Sequence, residues 1–308
     1  MPDEPRSPEY FKQLFTSAGK GKGGLYDFWV QQSYGKLNLD LSTVQGWYTL
    51  PYTRAQEQQK DRLTKWTDCA KNFQKKLWQL NPNGIIVIWN DVFDTYGASS
   101  YPLTLNGTQR NYMAVSLDRE GWHPAIAAQE MGHGYGLGHS FAYPDMEYGD
   151  SWDSMSSWTS GWFFNPPDDP DFGIKGPGLI APTRMWMGWI TQDRIRECST
   201  ACGPAQVVGL DHPEVGGPLV IKIPGDGGAF YTIEYRTKEG WDQGMPGNSV
   251  VVHKVEPSGR SLLMPGWNAA LWRAGESFQV DQLHIELGRL DGNSAWVCVN
   301  LPPCTGTF

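Results

Sequence analysis

Basic side chains are the scarce component of this sequence: 25 Lys and Arg stand against 33 Asp and Glu, a net charge of -8. A nucleic-acid binder needs clustered cations to displace counterions, so this balance argues against that class. No apolar run reaches the roughly 18 residues that a bilayer-spanning helix requires. Cysteine is sparse, and no second pair of Cys or His stands at zinc-ribbon spacing, which argues against a structural zinc site. The first residues, MPDEPRSPEYF, lack the basic-then-apolar pattern of a secretory signal. Internal repeats and low-complexity segments are also missing.

What is present fits a folded globular chain. Apolar residues make up 40% and charged residues 19% of 308 positions, enough at roughly 150 residues per domain for two domains. High Gly (36) and Pro (22) contents imply many tight turns and shaped loops. Cys198 with Cys202, and Cys298 with Cys304, can each close a small loop, leaving Cys69 free and buried. Such pairing belongs to an oxidising compartment. Two readings stay open: a secreted protein whose leader was removed, or a cytosolic one whose thiols are reduced.

Along the chain, Ser7 caps a short helix over 7–15 with Pro8 at its first position. Residues 37–41 alternate like a strand, and 54–80 reads as one amphipathic helix with a stripe of Leu63, Trp66, Ala70, Phe73 and Leu77. IIVIWN from Ile85 predicts a buried strand, 112–117 a second, and Pro124 opens a helix. Periodicity fades from 134 to 198 except for a helix near 181–189. Beyond Cys202, roughly eight β-branched or alternating runs predict an all-β, sandwich-like module. The predicted domains are therefore 1–202 and 203–308.

The chemistry concentrates in Gln129-Glu130-Met131-Gly132-His133-Gly134-Tyr135-Gly136-Leu137-Gly138-His139. Positions 129 and 133 share one helix face. Gly136 lets the chain turn sharply so that His139 can swing back toward it. Three donors would then converge with a fourth position open, the arrangement of a catalytic zinc, with Glu130 beside it as general base. His123, His212, His253 and His284 have no ligand-like spacing and read as hydrogen-bonded or surface residues.

This segment resembles the HExxHxxGxxH signature of metzincin zinc metallopeptidases, with Gln129 where the family has its first ligand histidine. Met155 stands where the family places its Met-turn, and YGDSWDSMS, from Tyr148 to Ser156, resembles the gametolysin-like and immune-inhibitor-A-like branches. GPGLIAPTRMWMGWI also resembles the segment after that turn. The resemblance covers residues 8–200 at motif level and the β-rich tail more loosely. It implies an α/β (α+β) metzincin-like catalytic domain with a twisted mixed sheet, zinc on Gln129, His133 and His139, and hydrolysis of a peptide or protein substrate. Charge balance and the lack of a long apolar run leave no nucleic-acid or membrane partner expected.

Gln129 departs from the pattern, because an amide oxygen is a weaker zinc donor than imidazole. Water, or a carboxylate from Asp150 or Asp153, would have to complete the set. The chain is then an inactivated variant, a pseudopeptidase that binds without cleaving, or an enzyme using a metal for small-molecule chemistry. Asp168, Asp169 and Asp171 are spaced either for a calcium loop or for a solvated acidic turn. Asn106-Gly107-Thr108 is a glycosylation sequon, and the strand over 112–117 is expected to pair with extended substrate.

Overall fold

Ser7 accepts a hydrogen bond from the Tyr10 amide through its side chain and so starts α1 (Pro8–Phe15), as its sequence position predicts. The computed structural model describes residues 6–92, 97–156, 168–301 and 304. It divides into two units: 1–27, 39–138 and 171–173 form the first, and 28–38, 139–170 and 174–308 the second. The chain thus crosses between units several times. One crossing falls within 37–41, the expected strand. That segment is a loop instead, turning through a Ser42 N–H to Leu39 carbonyl bond, with Leu39 buried and Leu41 94% exposed. α2 is Leu25–Gln32.

In the first unit the expected long helix is three: α3 (Arg54–Gln58), α4 (Arg62–Lys71) and α5 (Gln74–Leu80). Periodicity reports the buried face, but capping decides the breaks. The Asp61 carboxylate accepts from the Thr64 amide at 2.9 Å and begins a new helix there. The stripe survives the breaks, since Trp66, Ala70 and Leu77 are buried and Phe73 packs against them, whereas Leu63 is exposed.

α4 and α5 cover one face of a mixed sheet of order β1-β3-β2, with β1 Gly84–Ile88, β2 Gly97–Leu105 and β3 Thr108–Leu117. β1 runs parallel to β3 and β2 antiparallel. Tyr112 and Ala114 of β3 share a core with Trp66, Ala70, Ile85 and Val87. Met113 points by alternation to the opposite face. There it meets α6 (Pro124–Gly134) so closely that a Cβ on Gly134 would lie 2.4 Å from the Met113 side chain. β2 was not expected from the sequence. Its hairpin turn is Asn106-Gly107, with φ of 47° and 78°, so the sequon doubles as a two-residue turn on the surface.

In the second unit, β4 (Phe141–Ala142) and β5 (Met146–Glu147) form a hairpin. β6 (Asp168–Asp169) and β7 (Gly173–Ile174) are two-residue strands. After α7 (Ala181–Trp186) the β-rich segment comprises β8 (Ile195–Glu197), β9 (Cys202–Val208), β10 (Val220–Pro224), β11 (Phe230–Arg236), β12 (Ser249–Val255), β13 (Ser261–Met264), β14 (Ser277–Val280), β15 (Leu283–Asp291) and β16 (Ser294–Val299). Seven strands form one sheet, β5-β4-β13-β12-β11-β10-β8, and four form another, β14-β15-β16-β9. Ile221, Ile233, Val252 and Leu262 of the first share a single buried cluster with Val207, Ile285, Leu287 and Val297 of the second. The larger sheet also takes in β4, β5 and β8, which precede the expected 203–308 module.

The Cys198–Cys202 and Cys298–Cys304 disulfides form as spacing suggests, and Cys69 is free and partly buried. Two disulfides fit an extracellular protein. Among the described residues no helix is long and apolar enough to cross a membrane.

Ile233 is fully buried in β11, between β10 and β12. Ile233→Ala should therefore lower unfolding stability by about 2–5 kcal/mol. Urea denaturation of the two proteins measures this directly.

Candidate functional site

α6 begins at Pro124 and carries Gln129, Glu130 and His133, of which the first two are buried. Its end is a Schellman turn. The Gly136 amide reaches the His133 carbonyl at 2.9 Å and the Leu137 amide the Gly132 carbonyl at 3.0 Å, with Gly136 at φ 88°. A side chain at Gly136 would be strained there. The turn brings the Leu137 carbonyl to His133 Nδ1 at 2.8 Å. A carbonyl can only accept, so Nδ1 carries the proton. In the neutral ring the lone pair is then at Nε2, the form a metal-binding imidazole needs.

Glu130 is 5% exposed, and its Oε2 has no hydrogen-bond partner among the described residues. Burial pushes its carboxyl up to about 7, with the Arg62 charge opposing. A buried acid with one oxygen unpartnered, one position from the face of Gln129 and His133, can hold or pass a proton.

His139, Tyr148 and Met155 belong to the second unit. His139 is fixed at both nitrogens. Nδ1 lies 2.6 Å from Glu147 Oε1 and Nε2 2.7 Å from the Tyr148 hydroxyl. A carboxylate at Nδ1 and a phenol donating to Nε2 give the same tautomer as in His133. Glu147 ends the β4–β5 hairpin and Tyr148 follows it at φ 57°. An aromatic residue in that left-handed region costs about 1–2 kcal/mol. The Tyr148 amide bond to the Ser140 carbonyl, 2.9 Å, helps to hold it there.

Ser140 also ties this segment to the turn bearing Met155. Its carbonyl accepts from Ser156 Oγ at 3.2 Å, and its hydroxyl donates to Asp153. Met155 is 1% exposed within the 3-10 turn Ser154–Ser156. Asp150 and Asp153, the carboxylates considered as extra ligands, are fully buried and engaged elsewhere. Asp150 meets His253 Nε2 at 3.0 Å and the Trp152 amide at 3.0 Å; Asp153 accepts from Ser140 and the Met155 amide. Burial works against a charged His253, but Asp150 and Glu234 outweigh it and hold its pKa above the ordinary value. The phrase YGDSWDSMS is therefore a structural brace around Met155, apart from Tyr148.

Asp169 pairs with Lys175 at 2.5 Å, while Asp168 and Asp171 are exposed. Among the described residues no three His, Cys, Asp or Glu side chains converge as a metal-holding group. A metal bound by His133 or His139 must then draw on other donor types, such as the Gln129 amide or a phenol. Residues 157–167 of the loop-rich stretch lie outside the described residues.

One expectation is corrected. β3 is the central strand of its sheet, flanked by β1 and β2. Residues 112–117 therefore offer no edge to a substrate strand. Among the described residues the edges belong to β1 and β2, and Pro102 in β2 fits an edge position because proline has no N–H to give a ladder. The sequence also gave no hint of Ser140, Glu147 or His253 as partners. Only the Asn106-Gly107 pair could have announced β2 as half of a hairpin.

Buried Asp153 has its carboxyl raised to about 7, by burial first and then by Asp150. A carboxyl whose folded pKa lies above its unfolded value of about 3.9 stabilises fully below that value and loses the contribution as pH rises through the folded one. Asp153→Asn should therefore flatten the stability profile between about pH 4 and pH 7 relative to the parent. Thermal melts across that range would show an unchanged slope if Asp153 were not the source.

No protein-family model, curated protein or solved structure matches this chain.

Proposed function

We propose that the chain is a metal-dependent peptide-bond hydrolase of metzincin type, with Gln129, His133 and His139 holding a divalent metal, zinc in the first instance. One observation carries the reading. Both motif histidines give Nδ1–H to an oxygen acceptor, which puts the lone pair of the neutral ring on Nε2, and buried Glu130, whose Oε2 has no hydrogen-bond partner among the described residues, stands one position along α6 from Gln129. Such acceptors are the usual outer partners of metal-bound imidazoles. When bound, a metal supplies Lewis-acid polarisation of a water and of the scissile carbonyl.

The chain's own residues do the rest. Glu130 Oε2 accepts the proton of the attacking water and returns it to the leaving amide nitrogen. Ser140, next in the chain after His139, braces the turn that carries Met155. An extended peptide is positioned by pairing with the outer edge of β2, where main-chain groups are not committed to β3. Calcium at 168–171 has less support, since Lys175 already neutralises Asp169.

The test is cleavage of an unfolded substrate such as casein by the zinc-loaded chain. Glu130→Ala should abolish cleavage and leave metal content unchanged. Gln129→His should raise zinc affinity at least about tenfold, or about 1.4 kcal/mol, because imidazole is the stronger donor. Metal bound without cleavage would point instead to small-molecule chemistry. A parent that neither binds metal nor cleaves would be a binding protein on a peptidase-like scaffold.

A further inference from the structure

We infer that Asn106 carries an N-linked oligosaccharide, attached at its side-chain nitrogen. The inference rests on the β2–β3 hairpin of the first unit and on no reading of Gln129, His133 or His139. Of all the asparagines in the chain, only Asn106 opens an Asn-x-Ser/Thr triplet with a residue other than proline in the middle. The structure puts that triplet at the apex of the hairpin. Leu105 and Thr108 are the last cross-strand pair, and Asn106 and Gly107 are the two residues of the turn.

The apex has room for a bulky sugar. Asn106, Gly107 and Thr108 are all exposed. A Cβ built on Gly107 would meet nothing within 4 Å, so the space around the turn is clear. Among the described residues no hydrogen bond engages the Asn106 carboxamide or the Thr108 hydroxyl. Just before the turn, Leu103 and Leu105 fix the strand in the core, so a sugar at the apex leaves the packed side chains undisturbed. The turn itself accounts for Asn106 and Gly107, since φ values of 47° and 78° suit asparagine followed by glycine. It makes no demand for a hydroxyl at 108, whereas transfer of a glycan to asparagine requires Ser or Thr there.

Compartment and chemistry agree. Cys198–Cys202 and Cys298–Cys304 are bridged, and disulfides form in the oxidising lumen of the secretory pathway, where such glycans are also added. The donor class is an oligosaccharide held through its first sugar carbon on a lipid diphosphate. In the transfer, the bond from that carbon to the diphosphate oxygen breaks and a bond from the carbon to Asn106 Nδ2 forms. Nδ2 gives up one proton and the lipid diphosphate departs with the bonding electrons, so nothing is oxidised or reduced. At about 3.3 Å per residue the apex stands roughly 26 Å along β2 from Gly97, and the sugar leaves the Gly97 end of this edge strand accessible.

The experiment takes the full chain from the cells that naturally make it and maps its peptides by mass spectrometry before and after treatment with peptide N-glycosidase. The peptide containing Asn106 should carry hexose and N-acetylhexosamine, then lose them to the enzyme and leave aspartate at that position. Thr108→Ala, expressed in the same cells, keeps the Asn-Gly turn and removes the hydroxyl. It should migrate in a denaturing gel as the enzyme-treated parent does, while Thr108→Ser should retain the glycan. A bare Asn106 in the natural protein overturns the inference even if Thr108→Ala fails to fold. Sugar found only on other peptides overturns it as well, and so does a glycan on Asn106 that persists in Thr108→Ala.

Discussion

A guanidinium taken out of water is tolerable only where carboxylates and carbonyls meet it on all sides. In β11, Arg236 gives two hydrogen bonds to Asp242, one to Glu234 and one to the Trp152 carbonyl, each at 2.8–2.9 Å. Those acceptors are shared. Asp242 also takes the Gly178 amide and Glu234 the Ala181 amide. The loops at 150–156 and 176–181 thus have their backbones fixed by the same buried charge. Arg184, also fully buried, repeats the device with Gln32, Asp211 and the Leu179 carbonyl. Removing one partner of such a pair leaves an uncompensated charge, which is why these loops need no regular secondary structure to be well placed.

The Met155 turn is the beneficiary. Its entry is held through Asp150 and His253, its middle through the Trp152 carbonyl, and its exit through Ser140. Because Ser140 directly follows His139, the brace and the candidate ligand are one continuous piece of chain. On α6 the same economy works at shorter range. The glycine that ends the helix also produces the carbonyl that selects the tautomer of His133.

Features governed by neighbours in sequence were legible from the outset. The Ser7 cap, the Pro124 helix, the strand after Gly84, the sandwich strands and both disulfides depend on local pattern or short spacing. The single helix over 54–80 failed because one side chain, Asp61, competes for a backbone amide that periodicity ignores. The strand at 37–41 failed because alternation without a partner strand forms no ladder. Partnerships such as Asp150 with His253, separated by 103 positions, leave no trace in a single sequence. The motif residues could be named in advance, but not which nitrogen of each histidine would be turned outward.

Cys69 bears on how the chain oxidises. Burial lifts its thiol to about 12, so at pH 7 very little of it is thiolate. Disulfide exchange proceeds through the thiolate. Once folded, the odd cysteine is therefore a poor attacker of either bridge. Each bridge joins cysteines only four or six positions apart. Cys69 is thus a poor starting point both for scrambling of these two bonds from within the folded chain and for linkage to another copy.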